Sequence, residues 1–360
     1  MESRKIQKVG AATFTVSLPK EWVGRRNLRK GDQLFIVEEG DGLRLLPSPV
    51  SSERGREDTE FIVDADLCEE PGMLERVIVG NYVLGRERVI VRSALRLRSE
   101  HQDEIRRAIR RLMGIGIIEE SASRVVLQCS LDPANYPLDA LIKRLYNLGA
   151  TMLSESLEAL VSGDVALAED AIKREDDADM MYWLILRLVL SAQLDEGLVG
   201  QLGMRSRLEI PGYRVISRDL ETVADLAYGV AENVRELLTI KAKIPNSILK
   251  GLQGLATMIE GMYAKALGGL LSRDLKQANE AIHMFEGLAQ KEQDLVRLVL
   301  KEVQDPKVII PLRGIYSNIG TIGEYAQSIA VIAFNRYLEK PSSLCRPTSM
   351  PEAKVAAPAA

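Results

Sequence analysis

The pattern of apolar and polar positions changes character along this chain. Over residues 4–46, apolar and polar side chains alternate in short runs, with the period of a half-buried β-strand: KIQKV, TFTVSL, QLFIVEE and LRLL. The residues that follow, PSPVSSERGRED, have the proline, serine and charge composition of a linker. The pattern predicts a small all-β unit at residues 1–47 and a linker at residues 48–58.

From Thr59 onward, strand-like and helix-like patterns take turns. EFIVDA and RERVIVRS have the composition of strands, residues 72–83 and 100–112 have helical spacing, and GIGIIEE with RVVLQCS forms a closing strand pair. Because the elements alternate in the order β-α-β-α-β, residues 59–132 are predicted to form a small α+β module.

Beyond Pro137 the apolar residues recur at spacings of 3 and 4, which predicts helices throughout. This part also repeats itself: LVSGDVALAEDAI at 160–172 aligns with LLSRDLKQANEAI at 270–282, and LETVADLAYGVA at 220–231 aligns with IGTIGEYAQSIA at 319–330. We therefore predict two antiparallel three-helix units, at residues 137–240 and 244–338. The proline- and alanine-rich tail at residues 341–360 is predicted to be disordered.

Composition narrows the class of protein. The hydrophobic fraction of 46% is ample for globular cores, and the aromatic fraction of 5% favours aliphatic packing, as in helical bundles. Three distant cysteines and two histidines offer neither a disulfide framework nor a Cys/His zinc site, so a cytoplasmic location is expected. No run approaches the ~20 apolar residues of a membrane span, which predicts no membrane insertion.

Charge is distributed unevenly along the chain. Residues 1–46 hold nine Arg and Lys against six Asp and Glu, although the whole chain has a formal net charge of −4. A basic front end on an acidic chain favours a polyanion as its partner. On charge alone, a solvated basic surface is the more common explanation, so the order of the elements has to decide.

A strand that ends in Leu18-Pro19-Lys20, a helical turn, and then Leu28-x-x-Gly31-Asp32 before another strand resembles the AbrB/SpoVT family. The resemblance implies a swapped-hairpin homodimer that binds DNA. It assigns the DNA contacts to N-terminal and loop basic residues, which here are Arg4, Lys5, Lys8, Lys20, Arg25, Arg26 and Lys30.

Dimerisation agrees with the small size of this unit, because so few residues cannot bury a sufficient core by themselves. The same hairpin also serves as an antitoxin module in this family. An alternative is therefore that it only dimerises the chain and does not bind DNA.

Two Glu-x-x-x-Asp pairs lie in the first helical copy, Glu175/Asp179 and Glu221/Asp225. At this spacing both carboxylates share one helix face, which suits an oxygen-ligated metal, although such pairs are also common on solvated helices. Glu175 and Asp179 fall in the middle of an apolar stripe, where a cation, a basic residue or a shared proton must compensate for burial. The second pair falls toward the polar side of its helix and is predicted to be solvated.

Two three-helix copies with the signature Glu-x-x-x-Asp-x-Ala resemble the PhoU family of phosphate-uptake regulators. The resemblance covers residues 137–338 and implies a metal site, often iron, on four carboxylates: Glu175, Asp179, Glu221 and Asp225. Thr222 departs from this pattern, since the family usually has arginine at that position.

The second copy departs further from the PhoU pattern. At an offset of 110 residues, Phe285 and Ala289 replace the first acidic pair. At the shorter offset of 99 residues that applies to the third helix, Gly320 with Glu324 replaces the second pair, so one acid of four is kept. Iron or another divalent metal is therefore expected in the first copy only. The whole chain resembles the archaeal-type fusion of an AbrB-like hairpin to a PhoU-like body.

These resemblances imply a cytoplasmic DNA-binding transcriptional regulator of phosphate uptake, whose helical body senses a signal or docks a partner. The alternative is an adaptor that does not bind DNA and regulates a phosphate-transporter ATPase or a sensor kinase. A di-iron enzyme needs Glu-x-x-His pairs, and His101 and His283 occur in no such context. Walker A, dinucleotide and Ser/His/Asp motifs are also absent from the sequence, so no enzymatic activity is expected.

Overall fold

The computed structural model describes residues 3–10, 13–39, 42–46 and 60–349 of the chain. The chain divides into two compact units, Met1–Glu60 and Phe61–Ala360. The fold class is the one predicted: a small β unit, a mixed α and β module, and a helical body. The predicted linker at residues 48–58 and residues 350–360 of the predicted disordered tail lie outside the described residues.

The described part of the first unit contains two antiparallel strand pairs. Strand β1 (Gln7–Val9) pairs with β2 (Thr13–Thr15), and β3 (Phe35–Glu39) pairs with β4 (Gly42–Leu46). The two pairs are separate in the hydrogen-bonding pattern, because the described residues contain no ladder that joins them. This matches the short alternating runs of the sequence.

A short helix and a tight turn lie between the two strand pairs. Helix α1 (Lys20–Arg25) begins directly after Pro19. The Oδ2 atom of Asp32 accepts the backbone N–H of Arg29 at 2.6 Å, and Gly31 takes a φ of 101°, which favours glycine. Gly31 and Asp32 therefore stabilise the turn between α1 and β3, Gly31 by its positive φ and Asp32 by its hydrogen bond.

The first unit has no core of its own in the described residues. Of the side chains whose burial is described, none is buried, and six large apolar ones are more than half exposed: Ile6 (72%), Val9 (56%), Phe14 (68%), Val16 (52%), Ile36 (63%) and Leu43 (67%). A small strand unit with this much exposed apolar surface has to cover it against another surface.

The α+β module forms one four-stranded sheet and two helices. Its strands β5 (Glu60–Asp64), β6 (Arg88–Arg92), β7 (Ile115–Glu120) and β8 (Arg124–Cys129) lie in the order β5-β6-β8-β7. Helix α2 (Met73–Val83) connects β5 to β6, and helix α3 (Ser99–Arg111) connects β6 to β7. The strand pair at the end of the module, β7 and β8, is antiparallel as the sequence predicted.

One face of this sheet is buried because the two helices cover it. Val89 and Val91 of β6 alternate with more exposed positions. Together with Leu127 of β8, they share a core with Ile78 of α2 and Ile105 of α3.

The helical body contains two copies of a three-helix arrangement in which the middle helix is broken. The first copy consists of α4 (Leu138–Ser162), α5 (Val165–Lys173), α6 (Glu175–Leu194), the short α7 (Gly197–Gln201) and α8 (Glu209–Thr239). The second copy consists of α9 (Asn246–Ser272), α10 (Leu275–Glu286), α11 (Leu288–Glu302) and α12 (Pro306–Leu338).

The repeat seen in the sequence has a structural counterpart at the start of α5 and α10. Asp164 and Asp274 cap these helices, each accepting two backbone N–H groups with its carboxylate. Each is preceded by a residue in the left-handed conformation, Gly163 with φ 77° and Arg273 with φ 56°. The first half of the sequence alignment is therefore confirmed.

The offset of 110 residues between the two copies no longer holds beyond the helix break, so the alignment of Glu175 and Asp179 with Phe285 and Ala289 is wrong. The middle helix breaks at Arg174 in the first copy and at Gly287 in the second, and α10 has 12 residues where α5 has 9. After the break, the second copy is shifted by three further residues. Glu292, not Ala289, is thus the counterpart of Asp179.

Helix α6 joins the helical body to the α+β module. The buried guanidinium of Arg187 donates to the backbone carbonyls of Tyr82, Gly85 and Arg86 at 2.5 to 3.1 Å. These carbonyls lie at and just beyond the C-terminal end of α2, where a cation is favourable. The module and the helical body are therefore parts of one compact unit.

In the part of the chain that the structure describes, every helix is too short or too polar to cross a lipid bilayer.

Candidate functional site

Three carboxylates converge where α6 packs against α8. Glu175 is the first residue of α6, Asp179 lies one turn further along it, and Asp225 lies on α8. One carboxylate oxygen from each residue lies within 4.8 Å of the others. We refer to Glu175, Asp179 and Asp225 as the acid cluster. Arg174, where the middle helix is broken, immediately precedes this first turn of α6.

The acid cluster is buried at its base and open on one side. The Asp179 residue is 7% exposed, Glu175 is half-buried, and Asp225 is exposed. Carboxylates held close together in such a place resist ionisation. Loss of water around Glu175, together with the charges of Asp179, Asp176 and Asp225, raises its pKa. Loss of water and the charge of Asp179 likewise raise the pKa of Asp225.

Glu221, the fourth predicted metal ligand, stands outside the acid cluster. Its carboxylate accepts the Nη1 atom of Arg218 at 2.7 Å and the hydroxyl of Thr222 at 3.4 Å. Burial, reinforced by the charge of Asp225, raises the pKa of Glu221 to about 7.

The prediction that the Glu221/Asp225 pair is solvated is wrong for Glu221, which is 7% exposed, and right for Asp225. The pattern of one helix underestimates the buried face here, because α8 packs against α5 as well as against α6. The spacing of apolar residues along α8 gives no sign of this second neighbour, because α5 is a separate segment that ends at the helix break.

A basic residue from the α+β module reaches the acid cluster, and sequence reasoning missed it. Arg111, at the C-terminal end of α3, forms an ion pair with Asp179, and its Nη1 atom lies 3.3 Å from the Oε1 atom of Glu75. Arg111 and Asp179 are 68 residues apart in the chain. No local pattern links residues so far apart, so only the fold could show this contact.

The second copy keeps two of the four acids, whereas the sequence alignment predicted one. Glu292 is the counterpart of Asp179, and Glu324 corresponds to Asp225. Burial and the charge of Glu324 raise the pKa of Glu292. Gly320 leaves room for this carboxylate, since a Cβ atom at Gly320 would lie 3.1 Å from the Glu292 Oε2 atom.

The seven predicted DNA contacts lie on the first unit and are all exposed: Arg4, Lys5, Lys8, Lys20, Arg25, Arg26 and Lys30. Lys20 begins α1 and Arg25 ends it, while Lys8 lies in β1. Within the described residues, neither Arg25 nor Arg26 is held in an ion pair. Their charges are thus available to an external anion.

The chemistry of the acid cluster fits a divalent metal ion. Its donors are all carboxylate oxygens, which suit hard cations and ions such as manganese and iron, and they are close enough to share one ion. Arg111 already supplies one positive charge at this place. The cluster therefore has what a cation requires: converging oxygen donors, unneutralised negative charge and an open side.

Comparison with known proteins identifies two domains in the chain. The model of the PhoU domain matches residues 142–234, and the model described as antidote-toxin recognition MazE, bacterial antitoxin, matches residues 7–55. The PhoU resemblance is thereby confirmed for the first helical copy, and the N-terminal resemblance is confirmed as a MazE/AbrB-like domain.

A curated relative and two solved structures are similar to about half of this chain. The phosphate-specific transport system accessory protein PhoU homolog of Rhizobium meliloti (strain 1021) is 28% identical over 201 residues, which are 52% of this chain and 79% of that protein. The crystal structure of PhoU from Pseudomonas aeruginosa has 16% identity and a TM-score of 0.47, covering 56% of this chain and 96% of its own. The phosphate transport system regulatory protein PhoU from Streptococcus pneumoniae has 19% identity and the same TM-score, covering 56% and 93%.

Proposed function

We infer that this chain, in which a MazE/AbrB-like domain precedes a PhoU domain, is a cytoplasmic regulator of phosphate uptake that binds DNA through its first unit. One observation carries the proposal: seven exposed basic residues lie on a small β unit whose described residues include no buried core. This unit precedes a PhoU domain in a chain whose curated relative is named for phosphate-specific transport. Phosphate groups of DNA are the polyanion that such a basic surface fits.

The first unit would act as a homodimer. Ile6, Phe14, Ile36 and Leu43 are exposed in the single chain, and a second copy offers the same apolar residues in return. A dimer would double the number of basic side chains on the DNA-binding surface. Affinity and salt dependence would both rise with the number of phosphates contacted.

Charge reversal tests the DNA-binding proposal. In an electrophoretic mobility shift on the DNA upstream of its own gene, the wild-type chain should bind, and Arg25→Glu with Arg26→Glu should abolish the shift. Lys143→Glu with Arg144→Glu is the matched control, because this adjacent basic pair is also exposed but lies on α4. Equal binding by both double variants would contradict the proposal.

In the first copy, Glu175, Asp179 and Asp225 would hold a divalent metal, with iron and manganese the expected ions. A bound cation would neutralise the acid cluster and draw α6 and α8 together at this point. Glu221 would support the site from the neighbouring turn of α8, since its carboxylate is already held by Arg218.

Metal analysis of protein purified without chelator or affinity tag tests this site. We expect near-stoichiometric iron or manganese in the wild type, lost in Asp179→Ala. Glu169→Ala, which removes an exposed acid of α5, should keep the metal. A wild-type protein free of metal would contradict the assignment.

A second function is favoured by the name of the curated relative, which describes an accessory protein of a phosphate-specific transport system. In this alternative the chain is an adaptor for a phosphate-transporter ATPase or a sensor kinase, and the first unit only dimerises it. Pull-downs with and without residues 1–46 separate the two: an adaptor keeps its partner when these residues are deleted, and a DNA-bound regulator loses its promoter.

A further inference from the structure

Arg111 is the one described side chain outside the helical body that forms an ion pair with the acid cluster. It belongs to α3 of the α+β module, whereas Asp179 belongs to α6. The charge of Arg111 also favours the ionised form of Glu175. A residue of the module thus lies where a metal ion would lie if the cluster were loaded.

Arg111 has a second partner that lies away from the cluster. Its Nη1 atom is 3.3 Å from Glu75 of α2, and Glu75 also pairs with Arg107 at 2.9 Å. If the contact with Asp179 were lost, the guanidinium would keep Glu75 and gain solvent, since it is already 42% exposed. Release from the cluster therefore leaves no buried charge without a partner.

We propose that Arg111 is the built-in counter-ion of the acid cluster, so that Arg111 and a divalent cation compete for Asp179 and the α+β module responds to metal occupancy. This inference rests on the proposed metal site. Two positive charges compete for the same carboxylate oxygens, because both need the Asp179 carboxylate within contact distance. The module, which otherwise has no assigned role, would report the loaded state through α3.

The test compares the binding of Mn²⁺ to the full-length wild type and to three variants by isothermal titration calorimetry. Arg111→Gln removes the competing charge and should tighten Mn²⁺ binding by about fivefold or more, the lower end of typical coupling between sites. Arg111→Lys keeps a charge and should stay closer to the wild type. Arg107→Gln is the matched control, because Arg107 pairs with Glu75 and not with the cluster.

Hydrogen exchange provides a second measurement. If Arg111 only stabilised the fold, amide exchange near it would not respond to Mn²⁺. Adding Mn²⁺ to the wild type should speed amide exchange in residues 107–112, since the last turn of α3 loses its contact with α6. In Arg111→Gln this segment should exchange fast in both states, with no response to Mn²⁺. Thermal unfolding of each variant verifies that the fold is kept.

The outcomes separate the inference from the site on which it rests. Equal Mn²⁺ affinity in the wild type and in a folded Arg111→Gln variant would leave the metal site standing and overturn the role of Arg111. Weaker binding in Arg111→Gln would also overturn it, because Arg111 would then support the metal. If no folded form binds Mn²⁺, both the metal site and the competition are refuted.

Discussion

At the level of single residues, the first copy gathers four carboxylates and offers them two guanidinium groups. Arg111 pairs with Asp179, and Arg218 pairs with Glu221. Two guanidinium groups do not balance four carboxylates. Burial and the neighbouring negative charges therefore raise the pKa values of Glu175, Glu221 and Asp225. Such clusters of shifted acids are more common at functional sites than on ordinary helices. The cost of holding these charges should be visible in how stability depends on pH.

Glu221 gives the clearest expectation for pH. Its pKa is raised from 4.5 to about 7 on folding, so the folded chain holds this proton more tightly than the unfolded chain does. The contribution of Glu221 is therefore fully present below pH 4.5 and is lost as the pH rises through 7. In metal-free protein, Glu221→Gln should raise the free energy of unfolding at pH 8 by about 1 to 3 kcal/mol and change it little at pH 4.5.

Urea unfolding at pH 4.5 and 8, in the presence of a chelator, measures this difference. Glu169→Gln is the control, since Glu169 is exposed on α5. Parallel pH curves for the wild type and Glu221→Gln would show that Glu221 ionises normally in the folded chain.

At the level of elements, the contact between α2 and α6 holds the α+β module on the helical body. Arg187 satisfies three carbonyls at the end of α2, and its guanidinium also lies 4.9 Å from the ring centroid of Tyr82. A buried cation that caps a neighbouring helix does so only while both elements stay docked. The attachment of the module thus depends strongly on one side chain.

Replacing this side chain should weaken the attachment measurably. Arg187→Met keeps the apolar stem but leaves the carbonyls of Tyr82, Gly85 and Arg86 without their donor, at a cost of about 2 to 3 kcal/mol in the free energy of unfolding. Denaturant unfolding measures the cost. Arg235→Met, which removes an exposed ion pair with Glu232, should cost less than about 1 kcal/mol. Equal losses in the free energy of unfolding would show that the hydrogen bonds of Arg187 stabilise the chain no more than an exposed ion pair does.

The elements also show what the sequence could predict and where it failed. Alternation and helical spacing located the strands and helices of both units, because these patterns depend on near neighbours in the chain. The break at Gly287 was missed, since a helix that resumes after one residue keeps nearly the same apolar spacing. The burial of Glu221 and the ion pair of Arg111 depend on which elements meet, and one sequence contains no local trace of that.

At the level of the whole molecule, the first unit and the PhoU-containing unit differ in how they bury apolar surface. The second unit has a continuous core that runs from the sheet of the α+β module through both helical copies. In the described part of the first unit, the apolar side chains stay exposed. In the homodimer proposed for the first unit, the second copy would bury this apolar surface, so DNA binding and the oligomeric state should be linked.

A charge placed on the exposed apolar face of the first unit should therefore uncouple the copies and remove DNA binding together. Phe14→Asp introduces a carboxylate where dimerisation would have to bury it, and this is unfavourable without a partner for the charge. Sedimentation equilibrium should show a dimer for the wild type and a monomer for Phe14→Asp, whose mobility shift should be lost although Arg25 and Arg26 are intact. Ile310→Asp is the matched control, because Ile310 of α12 is 69% exposed where Phe14 is 68% exposed. A Phe14→Asp variant that stays dimeric would place the contact between copies on another surface. A variant that binds DNA as a monomer would show that DNA binding does not require dimerisation.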